Sequence, residues 1–371
     1  MSNLSELPID QPKTGGLLQK LKRATISSDD RISAMEKKRV EAVEVIPGMA
    51  LQGQSTVFYM EQNGGKTLIT FALLIQSIRN GTIDGDNLYY ILADDTFNGG
   101  IEKAKLAASV GFNLVVPDSD DDALSLSDVV PLLIELAQSG EAAKNIIVID
   151  TLKKVVSMMH KSASADFGKV SRSFVQAGGT LLTLGHVNKH KGDDGKAVFE
   201  GTNDIVNDFD CAYVGSIDTD KEDPKRQITF SNIKLRGPVR RKVSVSYDAN
   251  STTPWIKKLE SVKILSSDEA EKVRELNESQ KQLEQDLNIV CWIYDFLDDG
   301  AKLQTAIKTG GCPYGGQRRV EDALKRYGNM HKHEQFRFWT CQVGNKNARI
   351  YSRTINDPRV IIEDSSAGVI F

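Results

Sequence analysis

The residues whose types and spacing best suit chemistry lie between Ser55 and Thr67, in Ser-Thr-Val-Phe-Tyr-Met-Glu-Gln-Asn-Gly-Gly-Lys-Thr. A β-prone run from Ser55 to Tyr59 meets a turn with two glycines. Lys66 then opens a helix-periodic run through Ile69, Phe71, Leu73, Leu74 and Ile78. Strand, glycine turn and helix in that order form the context of a phosphate-binding loop. Backbone N–H groups of Asn63, Gly64, Gly65, Lys66 and Thr67 can curl around phosphate oxygens, and the helix N-terminus adds the positive end of its dipole. Lys66 then reaches the β/γ phosphates, and the Thr67 hydroxyl becomes a ligand for Mg²⁺. Met60 stands where such loops ordinarily have their first glycine. It tightens the entry without removing a group that touches phosphate.

Carboxylates close two other apolar runs. Lys144-Asn-Ile-Ile-Val-Ile-Asp150 has four β-prone residues ending in Asp, the pattern in which the carboxylate holds the Mg²⁺ shell opposite the loop hydroxyl. Gly85 to Asp95 has an apolar middle and ends in Asp94 and Asp95, at the end of the strand where open α/β sheets carry function. A further buried strand, Gly179 to Lys189, ends with His186, Asn188 and Lys189. A polar side chain at such a tip can sense a γ-phosphate. The connection from His190 to Gly201 carries Lys191 and Lys196 among glycines and aspartates, and reads as a partly basic loop.

These groups need a scaffold. Helices and buried strands alternate from 46 to 248, with a polar loop expected from His160 to Gly168, which predicts one α/β domain with a mostly parallel sheet over 46–260. Residues 1–45 read as an N-terminal arm, and 261–287 as a charged linker helix with a thin apolar stripe. Over 288–357, three helical segments and a hairpin around Gly344-Asn345 predict a small α+β winged-helix domain. Arg318, Arg319, Lys325, Arg326 and Arg349 give it a local basic excess suited to DNA phosphates. The tail, 358–371, carries no prediction.

Bulk properties set the outer limits. The chain has 371 residues and a formal net charge of −3, so any nucleic-acid signature must be local. No apolar run reaches membrane-spanning length, and no secretory pattern opens the chain. Its four cysteines lack C-x-x-C spacing, which points to a reducing compartment and no cysteine-based metal site.

The ordered set of motifs resembles the RecA-type P-loop ATPase core, and within it the DnaB-like and plasmid RepA-like replicative helicases. Gly64-Gly65-Lys66-Thr67 is similar to their Walker A element and Ile149-Asp150 to Walker B. Asp94 falls where the family places a catalytic glutamate that polarises the attacking water, with Asp95 beside it as a substitute. His186-Val-Asn-Lys189 resembles the strand-tip sensor. Lys234-Leu-Arg236-Gly-Pro resembles the element that supplies a finger to the neighbouring subunit's ATP. The resemblance covers roughly residues 40 to 250. It implies an ATP- and Mg²⁺-dependent translocase, a homo-oligomer built as a hexameric ring around single-stranded or forked DNA. Loops 160–172 and 188–201, with Lys189, Lys191 and Lys196, would face the strand. Such a protein works in a bacterial or phage-infected cytoplasm beside other replication proteins. Two alternatives stay open: a recombinase-like ATPase forming filaments on single strands, and an ATP-switched replication initiator or loader.

Overall fold

The main sheet is built from apolar runs hidden on both faces, and its strand order is set by tertiary pairing. The structure, a computed structural model, describes residues 32–33, 42–119, 124–156, 161–191, 197–199, 203–219 and 223–366. The chain divides into two units, Met1–Glu41 and Ala42–Phe371, and every element named below belongs to the second. The expected divisions at 260 and 287 both fall inside that second unit.

A short antiparallel pair, β1 (Glu44–Ile46) and β2 (Ala50–Leu51), leads into β3 (Ser55–Met60) and helix α1 (Lys66–Arg79). Next come β4 (Leu88–Leu92), α2 (Phe97–Val110), β5 (Asn113–Val115), α3 (Val129–Ser139) and β6 (Ile146–Asp150). One helical turn, α4 (Leu152–Val155), precedes α5 (Lys161–Gln176), β7 (Thr180–Lys191), β8 (Ala197–Phe199) and α6 (Asn203–Asp208). Strands β9 (Cys211–Ile217), β10 (Lys225–Lys234) and β11 (Lys242–Asp248), helix α7 (Trp255–Ser261) and β12 (Lys263–Leu265) complete the layer.

Among the described residues the sheet order is β12-β11-β10-β9-β3-β7-β6-β4-β5, with β8 attached to β7. The six strands from β9 to β5 run parallel, and β10, β11 and β12 extend them antiparallel. Strand side chains alternate between the faces. Phe58, Met60, Ile146 and Val148 pack with α1 on one face, while Val57, Tyr59, Ile147 and Ile149 pack with α3 and α5 on the other. Both faces are covered, so the inner parallel strands are mainly apolar, with Thr56, Thr180 and Thr183 among their buried polar residues.

Two loops expected from composition are regular structure instead. The polar stretch from His160 to Gly168 is largely the first half of α5, whose Phe167 and Phe174 are buried against the sheet. The connection from His190 to Gly201 is in part a hairpin, because β7 runs on to Lys191 and β8 folds back on it, pairing Lys191 with Ala197. Composition favoured loops there, and sheet pairing and burial outweigh it.

The C-terminal third is organised by one helix, α8 (Ser267–Phe296), where a linker helix and a separate buried helix were expected. It begins with a reciprocal capping box between Ser266 and Glu269. Its first half is tied to the antiparallel extension: Gln227 Nε2 donates to Ala270 O (3.2 Å) and Asn277 Nδ2 to Asp218 O (3.3 Å). Its second half joins Leu283, Ile289, Val290 and Ile293 to a separate apolar core. That core also holds α9 (Gln304–Thr309), α10 (Gln317–Arg326) and a three-stranded sheet ordered β13-β15-β14. Here β14 (Trp339–Val343) and β15 (Arg349–Arg353) are the expected hairpin, and β13 (Lys302–Leu303) pairs with β15 as a third strand too short to read in sequence. The tail forms a helix, α11 (Pro358–Ser366), with Ile361 and Ile362 against this core and Arg359 paired with Asp295.

Candidate functional site

Parallel register brings several of the candidate residues to one edge. Met60, the last residue of β3, lies beside His186, and Asp150 lies beside Leu184 and Leu92. The loop after β3, Asp94 after β4, Asp150 and His186 therefore share the carboxyl end of the parallel strands. The chain also reverses its direction of travel there: β4 lies on one side of β3 and β9 on the other. Open α/β sheets hold ligands at such places.

The loop has the conformation its glycines allow. Asn63 and Gly65 have positive φ, 60° and 93°. A Cβ on Gly65 would also stand 2.5 Å from the Tyr247 hydroxyl, which donates to Gly64 O (3.3 Å). Gly65 is the N-cap of α1 and brings no side chain to it, so the first-turn N–H groups of the helix are open to an anion. Met60 is fully buried, and Gly64 leaves room for its tip, since a Cβ there would lie 2.6 Å from Met60 Cε. Its bulk thus sits beneath the loop as packing.

Lys66 is buried and folded back over the loop. Its Nζ donates to Met60 O (3.1 Å) and Glu61 O (3.0 Å) and lies 3.1 Å from His186 Nδ1. Thr67 Oγ1 donates to Asp150 Oδ2 at 2.7 Å, and Tyr90 donates its hydroxyl to the same oxygen at 2.7 Å. Asp150 is 5% exposed. Burial pushes its carboxyl above the ordinary value, while the Thr67 and Tyr90 hydrogen bonds and the Lys66 charge pull it back. A hydroxyl and a carboxylate converging in this way are hard oxygen donors of the kind that hold Mg²⁺ with few protein ligands. These residues fit that ion.

Asp94 is half-exposed and pairs with Lys154 at 3.2 Å. Asp95 faces elsewhere and is held by Lys103. Tyr90, Lys103, Lys154 and Tyr247 all escaped sequence reading. The one available signal was Tyr90, two positions before the end of an apolar run and hence on the same sheet face as α1.

Lys234 and Arg236 lie at the opposite edge. Lys234 pairs with Ala212 near the start of β9, and its Nζ donates to Asn207 O. Burial and then the neighbouring Arg236 charge hold its amine below the usual range. Arg236 Nη1 donates to Asp210 Oδ1 (2.9 Å), and the other oxygen of Asp210 accepts from the Ser55 N–H (3.0 Å) at the start of β3. The six residues of β3, roughly 17 Å of strand, separate this pair from the glycine loop. Lys189 and Lys191 belong to β7, and Lys196 lies outside the described residues.

The basic set of the C-terminal third is smaller in space than in sequence. Arg326 is paired with Asp286, which also accepts from Tyr327 and Gln282. Lys325 and Lys308 share Glu321, whose carboxyl they push down to about 2. Arg318, Arg319 and Arg349 form no ion pair among the described residues. Arg319 Nη1 donates to Tyr314 O (3.4 Å), next to an exposed tyrosine ring.

Among the described residues, no helix is long and apolar enough to cross a membrane. Comparison by sequence finds no matching protein-family model and no matching curated protein.

Proposed function

We propose that the protein is a P-loop ATPase with a RecA-like core that acts as an oligomeric translocase on single-stranded or forked DNA. The observation that carries the nucleotide reading is the 2.7 Å bond between Thr67 and Asp150 beneath an N-terminally uncapped helix. Two residues of the predicted types, far apart in sequence, meet where a nucleotide's metal would sit. When bound, Mg²⁺ would neutralise charge on the phosphates. Thr67 and Asp150 would hold it, and the loop N–H groups with Lys66 would grip the phosphate oxygens. Asp94 orients the attacking water.

The oligomeric reading is supported by Arg236, which pairs with Asp210 and is exposed at the edge remote from its own glycine loop. A guanidinium placed there serves a neighbouring subunit. The C-terminal α+β segment, read as a winged helix, adds DNA contacts through Arg318, Arg319 and Arg349.

ATP turnover tests the nucleotide reading. Lys66→Ala abolishes it while leaving the fold intact by circular dichroism, and equal turnover in both proteins sinks the proposal. Electron microscopy with single-stranded DNA and a slowly hydrolysed ATP analogue tests the assembly. Closed rings support the translocase, and helical filaments overturn it in favour of a recombinase-like ATPase.

A further inference from the structure

We infer that Lys103 is a positioning residue that locks Asp95 and thereby presents Asp94 at the sheet edge. The inference rests on the nucleotide reading given above and deepens it. Lys103 is 8% exposed in the middle of α2, and a buried ammonium is costly unless it is well partnered. It has two partners. Its Nζ donates to Asp95 Oδ2 and lies 4.7 Å from the centroid of the Trp255 ring, over its face. The other Asp95 oxygen accepts from the Thr96 N–H (2.7 Å), and the Thr96 hydroxyl accepts from the Gly99 N–H (3.1 Å) to start the helix. Gly99 leaves the space, because a Cβ there would lie 2.6 Å from Asp95 Oδ1.

Asp95 is thus held through both carboxylate oxygens, and Asp94, one residue earlier, is turned the other way, half-exposed and paired with Lys154. The clamp also shares a frame with the other carboxylate. Trp255 meets Phe71 edge-on at 5.4 Å, Phe71 meets Tyr90 at 5.1 Å, and the Tyr90 hydroxyl donates to Asp150. One run of side chains therefore sets both Asp94 and Asp150, the two carboxylates whose separation matters for a water attacking a metal-bound phosphate.

Full-length Lys103→Met, Asp95→Asn and the double variant, compared with wild type, test this. Nucleotide affinity, KM and kcat are measured together, since a small displacement of a catalytic group costs up to about 100-fold in rate. The expected result is a kcat lower by about 10- to 100-fold in each single variant, with nucleotide Kd within about 2-fold of wild type. The double variant loses no more than either single one, because both remove one interaction. Lys103→Arg, which keeps the cation over Trp255, recovers part of the rate.

An unchanged kcat in Lys103→Met overturns the inference and leaves the nucleotide reading standing, as does a double variant in which the two losses multiply. If Lys103→Met does not fold, unchanged kcat in the partly exposed Asp95→Asn overturns it equally. A wild-type protein without turnover removes the nucleotide reading, and this inference with it.

Discussion

Thr67 donates a 2.7 Å hydrogen bond to Asp150, a residue 83 positions further along the chain. The bond joins the first turn of one helix to the tip of a strand two places away in the sheet. Strand register puts the Asp150 side chain on the face that α1 covers, and its partners follow from that.

The pH behaviour of this carboxyl is the first expected outcome. Burial raises its folded pKa, so the folded state holds the proton more tightly than the unfolded chain. Its contribution to stability is present below the unfolded value, near 3.9, and is lost as pH rises through the raised folded value. Asp150→Asn keeps an acceptor for Thr67 and Tyr90 without the buried charge. Without metal or nucleotide it melts above wild type at pH 7, and the gap closes towards pH 4. Its Mg²⁺-dependent turnover falls by about 100-fold or more, on the scale of losing one preorganised electrostatic contact. Thermal melts from pH 4 to 8 check the first part, and a gap that widens on acidification contradicts it.

Asp94 and Asp95 divide their roles. Asp94→Asn binds ATP and loses turnover by about 10²–10⁴-fold, the range for a positioned base. Asp95→Asn loses less, since that carboxylate is a buttress. Single-turnover assays at saturating ATP rank the two. The reverse order assigns the water to Asp95.

Arg236 is predicted to work across a subunit boundary. Arg236→Ala alone retains ATP binding and loses turnover by about 10³-fold or more, the scale of an arginine finger in P-loop NTPases. Mixed with Lys66→Ala, it regains partial activity, because some interfaces then combine an intact loop with an intact Arg236. Co-assembled mixtures that stay inactive would show that the residue acts within its own chain, or only to hold Asp210.

DNA binding by the C-terminal third is expected to rest on Arg318 and Arg319, because Lys325 and Arg326 are engaged by Glu321 and Asp286. In the full-length protein, Arg318→Ala with Arg319→Ala lowers the slope of log affinity against log salt by about 2 on duplex DNA. Lys325→Ala leaves that slope within error. A slope unmoved by the double variant makes this surface a protein-docking one.

Sequence alone determined the strand–loop–helix around Lys66, the carboxylate-tipped strands and the alternation that makes an α/β layer. Each of these is local, written in apolar runs, in glycines that permit positive φ, and in residues a few positions apart. The motif pattern also set Asp150 opposite Thr67, whereas only the tertiary structure decided the partners around that pair. Tyr90 joins Thr67 on Asp150, Lys103 takes Asp95 and leaves Asp94 turned out, and Asp286 removes Arg326 from the basic surface. Strand order and register fix those meetings, and a sequence read along its length carries neither. The same reason covers the merged helix Ser267–Phe296 and the hairpin of β7 and β8, where composition favoured a division and a loop. In both, pairing and packing with residues distant in sequence outweigh local propensity.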